Sequence, residues 1–224
     1  MGIEFAGGSL AGWTLNEVYF VAMLYQVGHQ LFTTFFLSGL FHVGWFVWSG
    51  RMDYVLLKPL HPLIGMHTAS EFIISNLPNL IINMVLFGIC GYRVYSDGAE
   101  FTISGTLGLI AFFILGIGIR YGIALWVVSP AFFAEKLAEG EDAYWSLLSL
   151  AKYPTGVFPR MMQNLFTFIL PVATVAAIPS KIFFGKSSWQ EILMQIGVTI
   201  IFVMASISFF SFSAKRYQSV NTGA

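Results

Sequence analysis

Long runs of apolar residues alternate with short polar segments along the chain. Five runs, at residues 18–48, 63–91, 103–134, 161–180 and 192–214, can each cross a hydrocarbon core of about 30 Å, which takes about 20 helical residues. Membrane strands would instead read as segments of about ten residues with alternating hydrophobicity, and the sequence has none. The pattern predicts an all-α polytopic membrane protein, with five transmembrane spans in one domain over residues 1–224.

The polar segment at residues 50–62 separates the first two apolar runs. Arg51, Asp53 and Lys58 give it charge. Its apolar positions have the spacing of one helix face, and they are Met52, Val55, Leu56 and Pro59. A short surface helix with an apolar face beside a membrane either docks on a partner protein or lies flat on lipid.

Composition agrees with a place in the bilayer. Hydrophobic residues make up 57% and charged residues 10% of the 224, against about 45–50% and about 25% in average soluble domains. The net charge is zero, and we expect no nucleic-acid partner. The single cysteine, Cys90, excludes a disulfide within the chain.

The basic residues predict the orientation, because short cytoplasmic loops carry more Lys and Arg than external ones. The face that holds residues 50–62 has seven: Arg51, Lys58, Lys136, Lys152, Arg160, Lys215 and Arg216. The opposite face has three: Arg93, Lys181 and Lys186. We therefore expect segment 50–62 and the C-terminus to be cytoplasmic. Because Met1 would then be external, we also expect the natural product to have a basic stretch and one more span ahead of Gly12.

Polar residues inside the apolar runs are costly in lipid and tend to face protein or water. In the second run, Glu71, Asn76, Asn79 and Asn83 follow helical spacing, and Pro78 is expected to kink the helix among them. This face is either a wall of a translocation path or a helix interface, whose hydrogen bonds contribute about 1 kcal/mol each.

Arg120 is the most costly of these residues, because its guanidinium stays charged at mid-membrane. Its own run has no acidic residue, so it needs a partner from elsewhere. Glu71 is the carboxylate that the predicted spans offer; a carboxylate of another subunit and a lipid head group are the alternatives. Gly118 and Gly122 have the spacing that allows close helix contact.

The sequence has no recognisable catalytic or metal-binding constellation. Gly185-Lys186-Ser187 matches only the end of a phosphate-binding loop, because residue 180 is Ser rather than Gly and no strand precedes it. His67 and Glu71, one helical turn apart, favour a local hydrogen bond over a metal site. We expect neither enzymatic activity nor a cofactor in this chain.

Three blocks of sequence resemble the membrane subunits of type-2 ABC transporters, and among them the small six-span permeases encoded beside a separate ATPase. The first block combines Gly12-Trp13-Thr14-Leu15-Asn16-Glu17 with Gly50-Arg51-Met52-Asp53 and Leu56-Leu57-Lys58-Pro59-Leu60. The second consists of Tyr153-Pro154, Phe158-Pro159, Ile169-Leu170-Pro171-Val172-Ala173, Ile178-Pro179 and Phe184-Gly185. The third is Lys215-Arg216-Tyr217-Gln218-Ser219. Six spans are normal in that group, one more than this chain shows.

The resemblance implies a coupling helix at residues 50–60, seated in a groove of the ATPase. Its residues would be Arg51, Asp53, Val55, Leu56, Leu57, Lys58 and Pro59, with Val55, Leu56 and Leu57 filling the groove and Arg51 and Asp53 pairing at its rim. The resemblance also implies that the region of Pro171 and Pro179 folds back into the outer leaflet as an external cap. Ordinary proline kinks are the alternative there.

The function implied by the resemblance is the membrane-spanning subunit of an ATP-driven exporter in the inner (plasma) membrane. It would pair with a second copy or a related permease above two ATPase subunits, which would hold ATP and Mg, and it would contact membrane lipid. A passive channel or an assembly scaffold without an ATPase is the alternative. The sequence suits drugs, lipids, peptides and glycans equally well as substrates.

Overall fold

The computed structural model describes residues 9–10, 12–133 and 140–217, and nearly all regular structure in these ranges is helical. Ser9–Leu10 and Trp13–Thr14 form a short antiparallel hairpin. The helices are α1 (Leu15–Phe35), α2 (Leu37–Phe41), α3 (Val43–Trp48), α4 (Met52–Leu57), α5 (Pro62–Ala69), α6 (Leu77–Ser96), α7 (Ile103–Val128), α8 (Glu141–Ser149), α9 (Arg160–Asn164), α10 (Ala177–Phe183) and α11 (Trp189–Ala214). The prediction of an all-α membrane protein is confirmed.

Shorter helical turns connect several of these helices. They are 3₁₀ turns at Ile74–Asn76, Ser129–Phe132, Leu150–Lys152, Thr155–Val157 and Val172–Val175, and a π-helical turn at Leu165–Ile169. Helix α1 begins at a capping box that its sequence encodes. The Thr14 hydroxyl accepts from the backbone N–H of Glu17 at 3.3 Å, and the Glu17 carboxylate accepts from the backbone N–H of Thr14 at 2.9 Å.

Three helices within the described ranges are long and apolar enough to cross a membrane, namely Ile74–Ser96, Ile103–Phe132 and Trp189–Ala214. A fourth crossing is formed if the bent pair Leu15–Phe35 and Leu37–Trp48, which meet at 60°, counts as one span. The predicted runs 103–134 and 192–214 therefore correspond to continuous helices. The run 18–48 corresponds to the bent pair.

The predicted span 161–180 is wrong as a continuous helix. Helix α9 and the π turn end at Leu170, which has φ −117° and ψ 81°, and a separate 3₁₀ turn follows Pro171. The cause is local, since a proline disfavours the helical conformation of the residue before it. The chain then forms α10 instead of completing a crossing.

The predicted span 63–91 also differs from the structure. Helix α5 ends at Ala69, residues 70–73 are non-helical, and α6 begins only at Leu77. Pro78 lies in the first turn of α6, where its missing N–H has no helical partner to lose. The predicted proline kink is therefore wrong, and Pro78 marks the start of a straight span.

Helix α7 is the centre of the bundle and packs against α1, α8, α10 and α11. Several of its glycines allow close approach of other segments. A Cβ atom at Gly116 would lie 2.9 Å from the carbonyl oxygen of Thr174, and one at Gly122 would lie 2.9 Å from the Ser206 hydroxyl of α11. The close helix contact expected at Gly118 and Gly122 is therefore made at Gly122, whereas Gly118 has ordinary spacing to its neighbours.

Candidate functional site

Helix α4 presents an apolar ridge at one end of the bundle, but not the ridge that its spacing predicts. Met52 is buried and Val55 is only 1% exposed, because α5 passes so closely that a Cβ atom at Gly65 would lie 2.9 Å from Val55. The outward ridge consists of Tyr54, Leu56, Leu57 and Leu60, with Tyr54 66% and Leu57 83% exposed. The expectation that Val55 fills a partner's groove is corrected, since Val55 belongs to the core of its own chain.

Charged residues flank this ridge and lie against aromatic rings. The Arg51 guanidinium lies 4.4 Å from the ring centre of Trp45, and the Lys58 ammonium lies 4.7 Å from that of Tyr54. Such stacking fixes a cation without removing it from water. Pro59 is exposed at the end of the ridge.

Asp53 faces the C-terminal end of α11 in the same chain. Burial raises the pKa of the Tyr217 hydroxyl, and the nearby Asp53 carboxylate raises it further, because a second negative charge there is disfavoured. The electrostatic partner of Asp53 that the structure shows is therefore intramolecular. This contact joins α4 to the chain beyond the last span.

Two helix breaks lie side by side near α4. The first separates α1 from α2 at Phe36, and the second comprises residues 70–73 between α5 and α6. The Ile73 N–H donates to the Thr34 carbonyl at 3.1 Å, and the rings of Phe35 and Phe72 are 5.8 Å apart. Non-helical backbone at membrane depth needs such partners within the protein, and the end of α1 supplies one for the 70–73 segment.

A cavity of about 700 Å³ lies at the second break, between α2, α3 and the 70–73 segment. Its lining combines apolar and charged side chains: Ser38, His42, Trp45, Phe46, Arg51, Ala69, Ser70, Glu71, Phe72, Ile73, Ile74 and Ser75. On the other side of Phe72 lies a second, almost wholly apolar cavity of about 510 Å³, which Tyr121 of α7 reaches. The structure thus brings Arg51 and Glu71, which the sequence assigned to different roles, to one cavity.

Arg120 is buried to 1% exposure between α1, α7 and α8. Its Nη2 donates to the Tyr25 carbonyl at 2.9 Å, and the guanidinium lies 4.6 Å from the centre of the Tyr25 ring. Tyr144 of α8, also buried, lies beside it. Gly28 leaves room for the group, because a Cβ atom there would lie 3.4 Å from Arg120 Nε.

The expected pairing of Arg120 with Glu71 is wrong. Glu71 is exposed and lies in the non-helical 70–73 segment, so it is not carried on a helix face toward α7. Within the described ranges, no carboxylate forms an ion pair with Arg120, whose partners are a carbonyl and aromatic rings.

The four residues of the predicted polar face in the second run do not all lie on one helix. Asn79 is exposed and Asn83 half-buried on α6, and the Asn83 amide donates to the backbone carbonyl of Asn79 at 2.8 Å. Asn76 lies in the 3₁₀ turn before the helix, and Glu71 lies outside it. These four residues therefore do not share one helix face.

His67 bonds to α7 rather than to Glu71. Its Nε2 lies 2.9 Å from the Tyr121 hydroxyl, so the expected His67–Glu71 hydrogen bond is wrong. The residues that the structure describes contain no group of three or more side chains suited to hold a metal ion.

The segment around Pro171 and Pro179 is fully buried, with the 172–175 turn against the middle of α7 and the end of α10 against the N-terminal part of α7. Every residue from 171 to 180 is buried, and the Val172–Val175 turn and α10 both pack on α7. The Gln195 amide of α11 donates to the Thr174 hydroxyl in this region. Pro171 follows the break after the π turn, and Pro179 lies in the first turn of α10, where it interrupts no helical hydrogen bond.

Lys186 closes the end of the bundle where α1 begins. Its ammonium bonds to the Glu17 carboxylate at 2.6 Å and to the Gly12 carbonyl at 3.0 Å. Nearby, Lys181 and Glu191 form a second ion pair at 3.2 Å. Sequence reasoning identified Lys186 as a basic residue of the external face and within a false nucleotide motif, but not its ion pair, since the partner is 169 positions away.

Comparison with known families gives one finding. A family model described as "ABC-2 family transporter protein" matches residues 4–221. No curated protein and no solved structure gave a significant match.

Proposed function

The chain belongs to the ABC-2 family of transporter membrane proteins, and on that premise we propose that it is the permease subunit of an ATP-driven exporter. It is a multi-pass membrane protein of a family whose members work with ABC ATPases. We assign to it two ATPase subunits and a second permease copy or related permease. In this assignment ATP and Mg bind the ATPases, and this chain carries out no catalysis.

The observation that carries the proposal is the shape of α4. Met52 and Val55 anchor the helix in the core of the bundle, while Tyr54, Leu56 and Leu57 remain exposed on the other side. A helix of six residues held in this way is a rigid element. Force applied to its outer ridge passes into α3 and α5, which it contacts directly.

The proposed mechanism follows from these contacts. ATP binding draws the two ATPases together and displaces α4, which moves the broken helices α1–α3 and α5–α6 on either side of it. The cavity at the second break then loses access from the α4 end. The Lys186–Glu17 end of the bundle opens to release the substrate outward. This assignment makes the α4 end and the C-terminus cytoplasmic, in line with the distribution of Lys and Arg.

The experiment that tests the proposal is substitution of the ridge. Leu57→Asp puts a charge into the proposed contact, and we expect recruitment of ATPase to fall at least tenfold, as for a buried apolar residue at the centre of an interface. The matched control is Ile103→Asp, because Ile103 is 82% exposed and lies at the opposite end.

The readouts are co-purification with the ATPase and substrate-stimulated ATP hydrolysis. Both should fall for Leu57→Asp and remain normal for Ile103→Asp. Normal ATPase recruitment and transport by Leu57→Asp would show that α4 is not the coupling element.

A further inference from the structure

We propose that the cavity at the second helix break binds a phospholipid-like amphiphile whose headgroup carries both an anionic phosphate and an ammonium group. The proposal rests on the proposed function in treating this ligand as the substrate class of the permease. Its evidence is nevertheless independent of α4 docking, because it comes from the lining of the cavity.

The backbone beside the cavity favours ligand binding. Membrane transporters commonly bind substrates where spanning helices are broken, because the unwound segments leave polar groups beside a cavity. Here two breaks adjoin, joined by the Ile73–Thr34 hydrogen bond at 3.1 Å. The cavity of about 700 Å³ lies beside the 70–73 segment, with Ile73 in its lining, and its volume is within the range of about 300–1,000 Å³ typical of small-molecule sites.

The charged residues of the lining indicate the chemistry of the headgroup. Arg51 and Glu71 both line the cavity, and the structure shows no ion pair between them. The Arg51 guanidinium rests on the Trp45 ring at 4.4 Å, which leaves its N–H edges for a bidentate anion such as phosphate. Glu71 offers an acceptor for an ammonium group. Two opposite charges that line one cavity without pairing match a headgroup that carries both signs.

The apolar part of the lining indicates that the ligand carries an acyl chain. Trp45, Phe72 and Ile74 are exposed large hydrophobic residues beside the two charges. Phe72 also borders the almost wholly apolar cavity of about 510 Å³ on its other side. An acyl chain next to the headgroup would cover this surface, whereas a free headgroup would leave it uncovered.

The experiment measures binding to the purified permease alone, in maltoside detergent, with lysophosphatidylethanolamine as the probe. Glu71→Gln and Arg51→Gln should each weaken binding about tenfold, as expected when one charged partner of a hydrogen bond is neutralised. Asp142→Asn is the matched control, because Asp142 is an exposed carboxylate outside the cavity. It should bind as the wild type does.

Two further probes separate the sources of the headgroup chemistry. Glycerophosphoethanolamine, the headgroup without a chain, should bind at least about tenfold more weakly. Lysophosphatidylglycerol lacks the ammonium group, so Glu71→Gln should not weaken its binding. Equal binding of the free headgroup, or equal loss of both lipids in Glu71→Gln, would overturn the proposal.

A second measurement leaves both charged residues intact. Cys90 is the only cysteine, so Ser75→Cys in a Cys90→Ala background gives a single thiol in the cavity lining. Lysophosphatidylethanolamine should slow its reaction with a water-soluble thiol reagent. An unchanged rate would refute the site, and a thiol that does not react even without lipid would mean that another segment or a second copy fills the cavity.

Failure of this proposal and failure of the proposed function are distinguishable. Lipid binding requires no ATPase, so it persists in Leu57→Asp if the site is correct, whatever that variant does to coupling. Conversely, if Leu57→Asp loses coupling to the ATPase as expected and the permease binds no lipid, the permease assignment stands and only the ligand is refuted.

Discussion

At the end of the bundle where α1 begins, lysines form ion pairs and Lys186 also lies over the Trp13 ring, whereas near α4 Arg51 and Lys58 stack on aromatic rings and form no ion pair with a described residue. Lys186 pairs with Glu17 at 2.6 Å, and Lys181 with Glu191 at 3.2 Å. The buried 171–180 segment fills the space below them. The α4 end instead exposes an apolar ridge and an open cavity. The α1 end (the closed end) is therefore held by ion pairs within its own chain and has a cavity of about 340 Å³, while the α4 end carries the larger cavity and the exposed apolar ridge.

The largest expected effect comes from Gly116, where the buried 171–180 segment packs on the middle of α7. Gly116→Ala puts a Cβ atom 2.9 Å from the Thr174 carbonyl, a backbone atom that cannot rotate away. We expect it to reduce the free energy of unfolding by up to about 3 kcal/mol. The measurement is denaturation in mild detergent.

The matched control for this prediction is Gly118→Ala. The nearest atom to its new Cβ would be a side-chain methyl of Val203 at 3.7 Å, an ordinary contact. It should be neutral or stabilising, because Ala is the better helix former by about 1 kcal/mol. Equal destabilisation by both variants would mean that the 172–183 segment does not pack on α7 as described.

The next effect tests the inward side of α4. Val55→Ala removes two buried methyl groups and should cost about 2 kcal/mol of unfolding free energy. Leu56→Ala, on the partly exposed side, should cost under about 1 kcal/mol. Thermal unfolding of the purified variants measures both, and a larger loss for Leu56→Ala would reverse the assignment of inner and outer faces.

A smaller effect is expected from the ion pair at the closed end. Glu17→Gln keeps the capping acceptor but removes the charge opposite Lys186, in a pair in which Glu17 is buried and the Lys186 side chain is 33% exposed. The loss should be about 1 kcal/mol and should shrink at high salt. Glu100→Gln, an exposed carboxylate at the same end, is the control and should show no salt-dependent difference.

The smallest effect is expected at the ridge itself. Leu57→Asp should change the unfolding free energy of the isolated permease by less than about 0.5 kcal/mol, because the side chain touches little of its own chain. A large loss of stability would show that Leu57 is a core residue of this subunit. The comparison of the two ends would then no longer hold.

Helical class and the spans at 103–134 and 192–214 follow from hydrophobic run length alone, and the capping box at Thr14 and Glu17 follows from its spacing. The break at residues 70–73 could not be predicted from the sequence, because an apolar run continues through it and the nearest proline, Pro78, comes after it. Residue spacing also cannot tell which side of α4 faces the core, since Val55 and Leu56 are equally apolar.

The candidate site depends on contacts between residues far apart in the sequence, which residue spacing cannot predict. Arg51 and Glu71 lie in different segments of the chain and line one cavity only in the folded protein. The Lys186–Glu17 pair joins residues 169 positions apart. Arg120 could be identified as costly, but its carbonyl partner on Tyr25 could not, because every residue has a carbonyl.

The hydrogen bond from the Ile73 N–H to the Thr34 carbonyl has a consequence for how the gene can vary. Both atoms belong to the main chain, so nineteen of the twenty amino acids at position 73 can make the bond and only proline cannot. Natural sequences can therefore change the side chains at this seam freely while the two broken spans stay joined. The residue types found at positions 34 and 73 in related sequences are therefore expected to say little about the structural importance of these positions.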